Sequence, residues 1–229
     1  MKKHATLAAA FTLAAGFSPQ LAAQVDWFTE SVATPWYFGL GISRGAATPP
    51  QGTIDGVDAQ FSAALGADNT IRDVDDRFNG ARMFLGYELN RHLAVEAGVT
   101  RLGKTEVGYN FRSGITSVGG LIMNYRMSAL YVDAVGKFPI DPKWSLLARI
   151  GASAGQTRVG FNGDPLTLLV PSEARDETEY NVKFGAGFEY NMTAVWTLRA
   201  EWDRWKMPDP LSSDDIEVDA FAASLLYRF

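Results

Sequence analysis

Between Asn79 and Gly103 the chain alternates with period two on either side of a tight polar turn. Ala81, Met83, Leu85 and Tyr87 alternate with Arg82, Phe84, Gly86 and Glu88. After Asn90, Arg91 and His92 the pattern restarts, with Leu93, Val95, Ala97 and Val99 against Ala94, Glu96, Gly98 and Thr100. Period two places successive side chains on opposite faces of a strand. One face of this hairpin is almost wholly apolar. The other mixes charges with glycines.

The rest of the chain repeats the unit. Trp36, Phe38, Leu40 and Ile42 form a first strand, and Ile122–Phe138 and Trp144–Gly155 form the next pair after the hairpin. Val182–Tyr190, Ala194–Trp202 and Ala220–Phe229 complete a set of eight. Their connections alternate in length. Arg44–Asp76, Arg101–Ser117, Thr157–Glu177 and Lys206–Asp215 read as four long connections, although the alternation inside Arg101–Ser117 is able to extend the flanking strands. Ala59–Ala67 has weak helical character, and Leu166–Val170 is an apolar spot in the third connection. Asn90–His92, Pro139–Lys143 and Asn191–Thr193 read as tight turns.

Long connections at one end and short turns at the other are the pattern of an outer-membrane barrel. The apolar faces approach the 9–11 residues of a tilted strand crossing. In hydrocarbon such a sheet has to close, because an open edge leaves backbone donors and acceptors unpaired. The expected fold is all-β: an eight-stranded antiparallel up-and-down transmembrane β-barrel with four long extracellular loops and short periplasmic turns. Alternation places Arg82, Lys137, Arg149, Lys183, Arg199 and Arg228 on the inward face, with Glu88, Glu96, Asp133, Glu189, Glu201 and Asp203. Charges in a narrow barrel have to be paired or hydrated. A soluble ligand-holding barrel reverses the arrangement, with an apolar lumen and a polar exterior. Trp36, Tyr87, Phe138, Trp144, Tyr190, Trp202, Tyr227 and Phe229 fall toward strand ends, where aromatic girdles are expected.

Lys2, Lys3 and His4 precede an apolar run to Phe17, and Leu21-Ala22-Ala23 offers small residues for cleavage. Residues 1–23 are therefore expected to be a signal peptide, 24–33 a leader and 34–229 the barrel domain. No later stretch has the ~18 apolar residues of a spanning helix.

GYELNRHLAVEAG (Gly86–Gly98), ALYVDAVGKFPI (Ala129–Ile140), WSLLARIGASAG (Trp144–Gly155) and the ending SLLYRF (Ser224–Phe229) resemble the OmpA-like transmembrane domain family. The resemblance implies an outer-membrane location. It also implies that Leu225, Tyr227 and Phe229 are the signal read by the barrel assembly machinery, and that lumenal ions form a network blocking or gating a narrow channel. The candidates for that network are Arg82, Glu96, Asp133, Lys137, Arg149, Lys183, Arg199 and Glu201. The family prototype's periplasmic peptidoglycan-binding domain is not expected here, since the sequence stops at Phe229.

Composition narrows the function. The 229 residues contain no cysteine, which excludes a disulfide framework, a zinc-thiolate site and a thiol nucleophile. A net charge of -5 argues against a nucleic-acid partner. Asp73, Asp75 and Asp76 lack the glycine and terminal glutamate of a calcium hand loop. His4 leaves with the signal and His92 sits in a turn, so an acyl-transfer or lipid-modifying enzyme lacks its natural base. Neither an enzyme nor a cofactor is expected. The expected role is a monomeric barrel with a salt-bridged, largely closed lumen, serving envelope integrity or surface-loop interactions. A narrow porin-like pore and an adhesin acting through the loops are the alternatives. Arg44, Arg101, Lys104, Arg112, Arg158 and Arg204 stand near strand ends, where they are able to meet outer-membrane lipids and lipopolysaccharide.

Overall fold

The computed structural model describes residues 35–163, 175–211 and 215–229. The expected signal segment, the leader and the Leu166–Val170 spot lie outside the described residues. The described residues form nine strands and one helix: β1 (Trp36–Thr48), α1 (Gln51–Leu65), β2 (Asn69–Asp75), β3 (Arg77–Asn90), β4 (Leu93–Ser113), β5 (Thr116–Pro139), β6 (Trp144–Gly163), β7 (Arg175–Asn191), β8 (Trp196–Pro208) and β9 (Asp215–Arg228). All pairings are antiparallel. The order β4-β3-β1-β9-β8-β7-β6-β5 closes through β4–β5, so eight strands form a ring and β2 is added to β4 outside it. No helix among the described residues is long and apolar enough to cross a membrane.

The alternation sorts the side chains. Ile42 is 72% exposed and Leu130 61%, while their inward neighbours Ser43 and Tyr131 are buried. At the turn end, rings pair across neighbouring strands: Trp36–Tyr87 at 4.9 Å, Trp144–Tyr190 at 4.7 Å and Trp196–Tyr227 at 4.9 Å between centroids. These form an interfacial girdle, since amphipathic rings settle at the membrane boundary. At the other end Phe184 and Trp202 make an edge contact at 5.9 Å. There the outward residues change from apolar to polar on successive strands: Ile42 to Arg44, Val99 to Arg101, Leu130 to Ser128, Tyr180 to Thr178 and Trp202 to Arg204.

Two expectations about the connections are corrected. Arg101–Ser117 is not a loop. β4 and β5 run 21 and 24 residues and meet at a tight turn at Gly114-Ile115, where Gly114 has φ 58°. A bulge at Gly103, with φ 109°, shifts the parity, so Arg101 and Lys104 both face outward and a simple period-two reading breaks there. The first long connection is not irregular either. β2 covers the edge of β4 from Glu106 to Arg112, beyond the last β3–β4 pair at Ala81 and Arg101. The helix expected at Ala59–Ala67 starts earlier and is longer, running from Gln51 to Leu65. Pro50 starts it by accepting from the amides of Thr53 and Ile54, and Gly66, at φ 64°, ends it.

Candidate functional site

The interior is filled twice along its axis. Nearest the tight turns lies a charged layer. Arg149 on β6 is its hub, ion-pairing with Glu96 at 2.7 Å, Asp133 at 2.5 Å and Glu201. Arg199 on β8 pairs with Glu96 at 2.6 Å and Glu189 at 2.5 Å. Arg82 on β3 reaches Asp203 at 2.7 Å and also meets Glu201. Lys183 on β7 lies 2.8 Å from Asp133, and Lys137 on β5 lies 2.5 Å from Glu88. Arg228 joins from β9 through Glu88 at 2.9 Å.

All eight residues singled out from the sequence therefore meet in one cluster, joined by Glu88, Glu189, Asp203 and Arg228. Strand parity delivers them. Each stands at an inward position of its strand, and the ring brings β3, β6 and β8 within reach of one another. Six cations face six carboxylates. Glu96 is 0% exposed and Arg199 1%, so neither charge is hydrated from outside. The pairing offsets a desolvation cost of several kcal/mol per isolated ion.

Aromatic rings frame the ions. The Tyr37 hydroxyl donates to Glu96 at 2.6 Å, while Lys137 lies 4.9 Å from the Tyr37 ring centroid. Lys183 sits 4.2 Å from Trp205 and 4.7 Å from Tyr131. Gly86 and Gly39 make room for this. They pair across the β1–β3 ladder with Tyr37 and Phe84, and a Cβ on either glycine would run into the opposing ring. Sequence parity places Tyr37 inward but gives an uncharged phenol no reason to join an ion network, so its role emerges only from the distance.

Toward the opposite end the filling becomes apolar. Tyr125, Met127, Met123, Val107, Val159, Met207 and Val218 point inward and are buried. α1 lies over them with Ile54, Val57 and Phe61 turned in, the i, i+3, i+7 stripe of an amphipathic helix. Phe61 stacks on Phe111 at 5.8 Å, and Phe111 on Tyr109 at 5.9 Å. Thr53 donates from its hydroxyl to Asp209 at 2.5 Å, and Arg72 of β2 donates to Asp55 at 2.9 Å. Burial under the helix pushes the Tyr109 phenol up to about 12.

Among the described residues no group of three metal-ligating side chains converges. His92 lies in the β3–β4 turn, engaged by the Arg91 guanidinium at 3.0 Å and the Lys137 carbonyl at 3.2 Å. Leu225 and Tyr227 face outward on β9, and the Tyr227 ring lies 6.4 Å from that of Phe229.

An apolar outer band, an aromatic girdle and an ion-filled lumen define an integral outer-membrane barrel. Residues 8–229 match the family described as the outer membrane protein beta-barrel domain, and the chain belongs to that family. Solved structures agree on the fold. The outer membrane protein OprG from Pseudomonas aeruginosa has a TM-score of 0.54 at 11% identity, with 87% of this chain and 98% of that one covered. Neisserial surface protein A gives 0.51 at 10%, covering 85% and 97%. Ail, the attachment invasion locus protein of Yersinia pestis, solved in complex with the heparin analogue sucrose octasulfate, gives 0.50 at 16%, covering 86% and 100%. A search of curated proteins finds no match. These findings support small outer-membrane barrels in general; the narrower OmpA-like likeness rests on the sequence segments alone.

Proposed function

We propose that the protein is a closed, non-enzymatic, monomeric barrel that supports the integrity of the outer membrane. In this reading the helix-bearing end faces outside, residues 1–23 are removed on export, and Leu225, Tyr227 and Phe229 guide insertion by the barrel assembly machinery. The observation that carries it is the double filling of the lumen. A conducting barrel needs a continuous wet route. Here a charge-neutral ion layer and an apolar layer under α1 lie in series. An eight-stranded ring is just wide enough for side chains, and this one carries twelve charged ones with aromatic rings between them. The test is single-channel recording on the purified folded protein, which should be silent. Stable steps of porin size would favour the narrow-pore alternative.

A second reading, recognition of a surface ligand, is supported by the β4–β5 arm. It carries Ile115 at 98% exposure at its tip, with Ile71 and Ile122 exposed on its flank. Ile115→Asp with Ile71→Asp should abolish attachment of expressing cells to a ligand-coated surface while leaving their detergent resistance unchanged. A loss of detergent resistance with attachment intact would support the structural role alone.

A further inference from the structure

The cations on the outer surface are not spread evenly. Lys104 on β4 is paired across the ladder with Arg126 on β5, and Arg126 with Arg158 on β6. All three are exposed on the outward face. Directly opposed side chains in an antiparallel sheet have Cβ atoms about 4.5–5.5 Å apart, and like charges there repel. The ends of the row have acidic neighbours: Lys104 pairs with Glu106, and Arg158 faces Asp176 across β6–β7. Arg126, in the middle, has a cation on either side and no carboxylate partner among the described residues. Arg101 adds a fourth outward cation one rung nearer the apolar band, opposite Ser128.

On β8, at the same boundary, the barrel neutralises one such charge. Arg204 folds onto Asp219 through two hydrogen bonds, both at 2.8 Å. The row on β4–β6 has been left for a partner. On β5 and β6 it stands four residues beyond Leu130 and Ala154, which end the apolar band on those strands. That is about 13 Å along a strand, or roughly 10 Å in height at the usual tilt. The guanidinium groups then lie at headgroup level, one polar rung, Ser128 and Gln156, above the apolar surface.

We infer that Lys104, Arg126 and Arg158, with Arg101 beside them, hold the phosphates of a phosphorylated glycolipid in the outer leaflet. One phosphate bridges Arg126 and Arg158, and its acyl chains lie on the band formed by Val99, Leu130 and Ala154. Arginine suits the task because its planar fork binds phosphate oxygens in pairs. A soluble polyanion would gain only the charge contacts. A membrane lipid gains the apolar contact as well, which is why the occupant is a lipid. The inference rests on the outward orientation proposed above, but its test does not, because the lipid is supplied in both leaflets.

The experiment places the folded full-length protein in nanodiscs of phosphatidylcholine, alone or with bisphosphorylated or dephosphorylated lipid A. The readout is the midpoint temperature at which the folded, fast-migrating gel band is lost. Bisphosphorylated lipid A should raise the midpoint by about 2–4 °C over the dephosphorylated form. Arg126→Gln with Arg158→Gln should lose that rise, yet in phosphatidylcholine alone should match or exceed the wild type, because the opposed charges are gone. Arg77→Gln with Arg112→Gln, away from the row, should keep the rise. Equal midpoints for the wild type in the two lipid A preparations would overturn the inference without any variant having to fold. So would a rise that survives in the Arg126/Arg158 variant, or an equal rise from millimolar inorganic phosphate in phosphatidylcholine.

Discussion

Arg149 compensates three carboxylates at once, Glu96, Asp133 and Glu201, inside a layer that water does not reach. Arg149→Met removes the cation they share and leaves Glu96 to Arg199, Asp133 to Lys183 and Glu201 to Arg82, so it should cost about 3–5 kcal/mol, measured as a shift in urea unfolding of the barrel in lipid vesicles. Tyr109 carries the opposite kind of lesson. Its phenol is held neutral by burial under α1, with its folded value raised to about 12 from the ordinary 10.0. A raised value means the stabilisation is complete below 10 and is lost as pH climbs through 12. Amide exchange in α1 should therefore speed up between pH 10 and 12, after correction for the intrinsic pH dependence, and Tyr109→Phe should remove that rise. The ion layer was legible residue by residue, because inward parity and charge together single out Arg82, Glu96, Lys137 and the rest. Which ion meets which was not. Arg82 reaches Glu201 and Asp203 across β1 and β9, and that reach depends on the stagger of a closed ring, which no local pattern encodes.

At the level of elements, α1 is the part of the fold that sequence reading placed least well. Its apolar stripe of Ile54, Val57 and Phe61 is only three residues, set among Gly52, Gly56, Asp55 and Asp58. The stripe gains meaning only from Phe111 and Tyr109, which belong to the Arg101–Ser117 connection, whose alternation extends the flanking strands. Both misreadings share one physical cause. The Gly103 bulge changes parity in mid-strand, so the inward row Val107, Tyr109, Phe111 falls out of phase with Ala94, Glu96 and Gly98. The helix and the extended arm then explain each other, since each covers apolar surface that the other leaves bare. Phe61→Ala should cost the helix about 3 kcal/mol of docking free energy. Faster amide exchange should be confined to residues 51–65, with the heat-modifiable gel shift unchanged. If the ring itself unfolded at a lower temperature, α1 would be part of the barrel's core rather than a cover on it.

Across the whole molecule, the strand ring was readable because a membrane enforces a single rule on every strand: apolar outside, everything polar inside. The rule applies in hydrocarbon and stops at Arg44, Arg101 and Arg204, beyond which an outward position no longer has to be apolar. Beyond that boundary the molecule behaves like a small water-soluble domain, with its own apolar core of Met123, Tyr125, Val159 and Met207 and its own helix. The interior is thus largely closed by two different physical means, ion pairing near the tight turns and hydrophobic packing at the helix-bearing end. Conductance across a planar bilayer, recorded on protein whose folded band has been verified on a gel, tests this most directly. The account predicts a silent trace in the wild type and also in Phe61→Ala, because the ion layer alone closes the lumen. Steady channel openings in the wild type would contradict it.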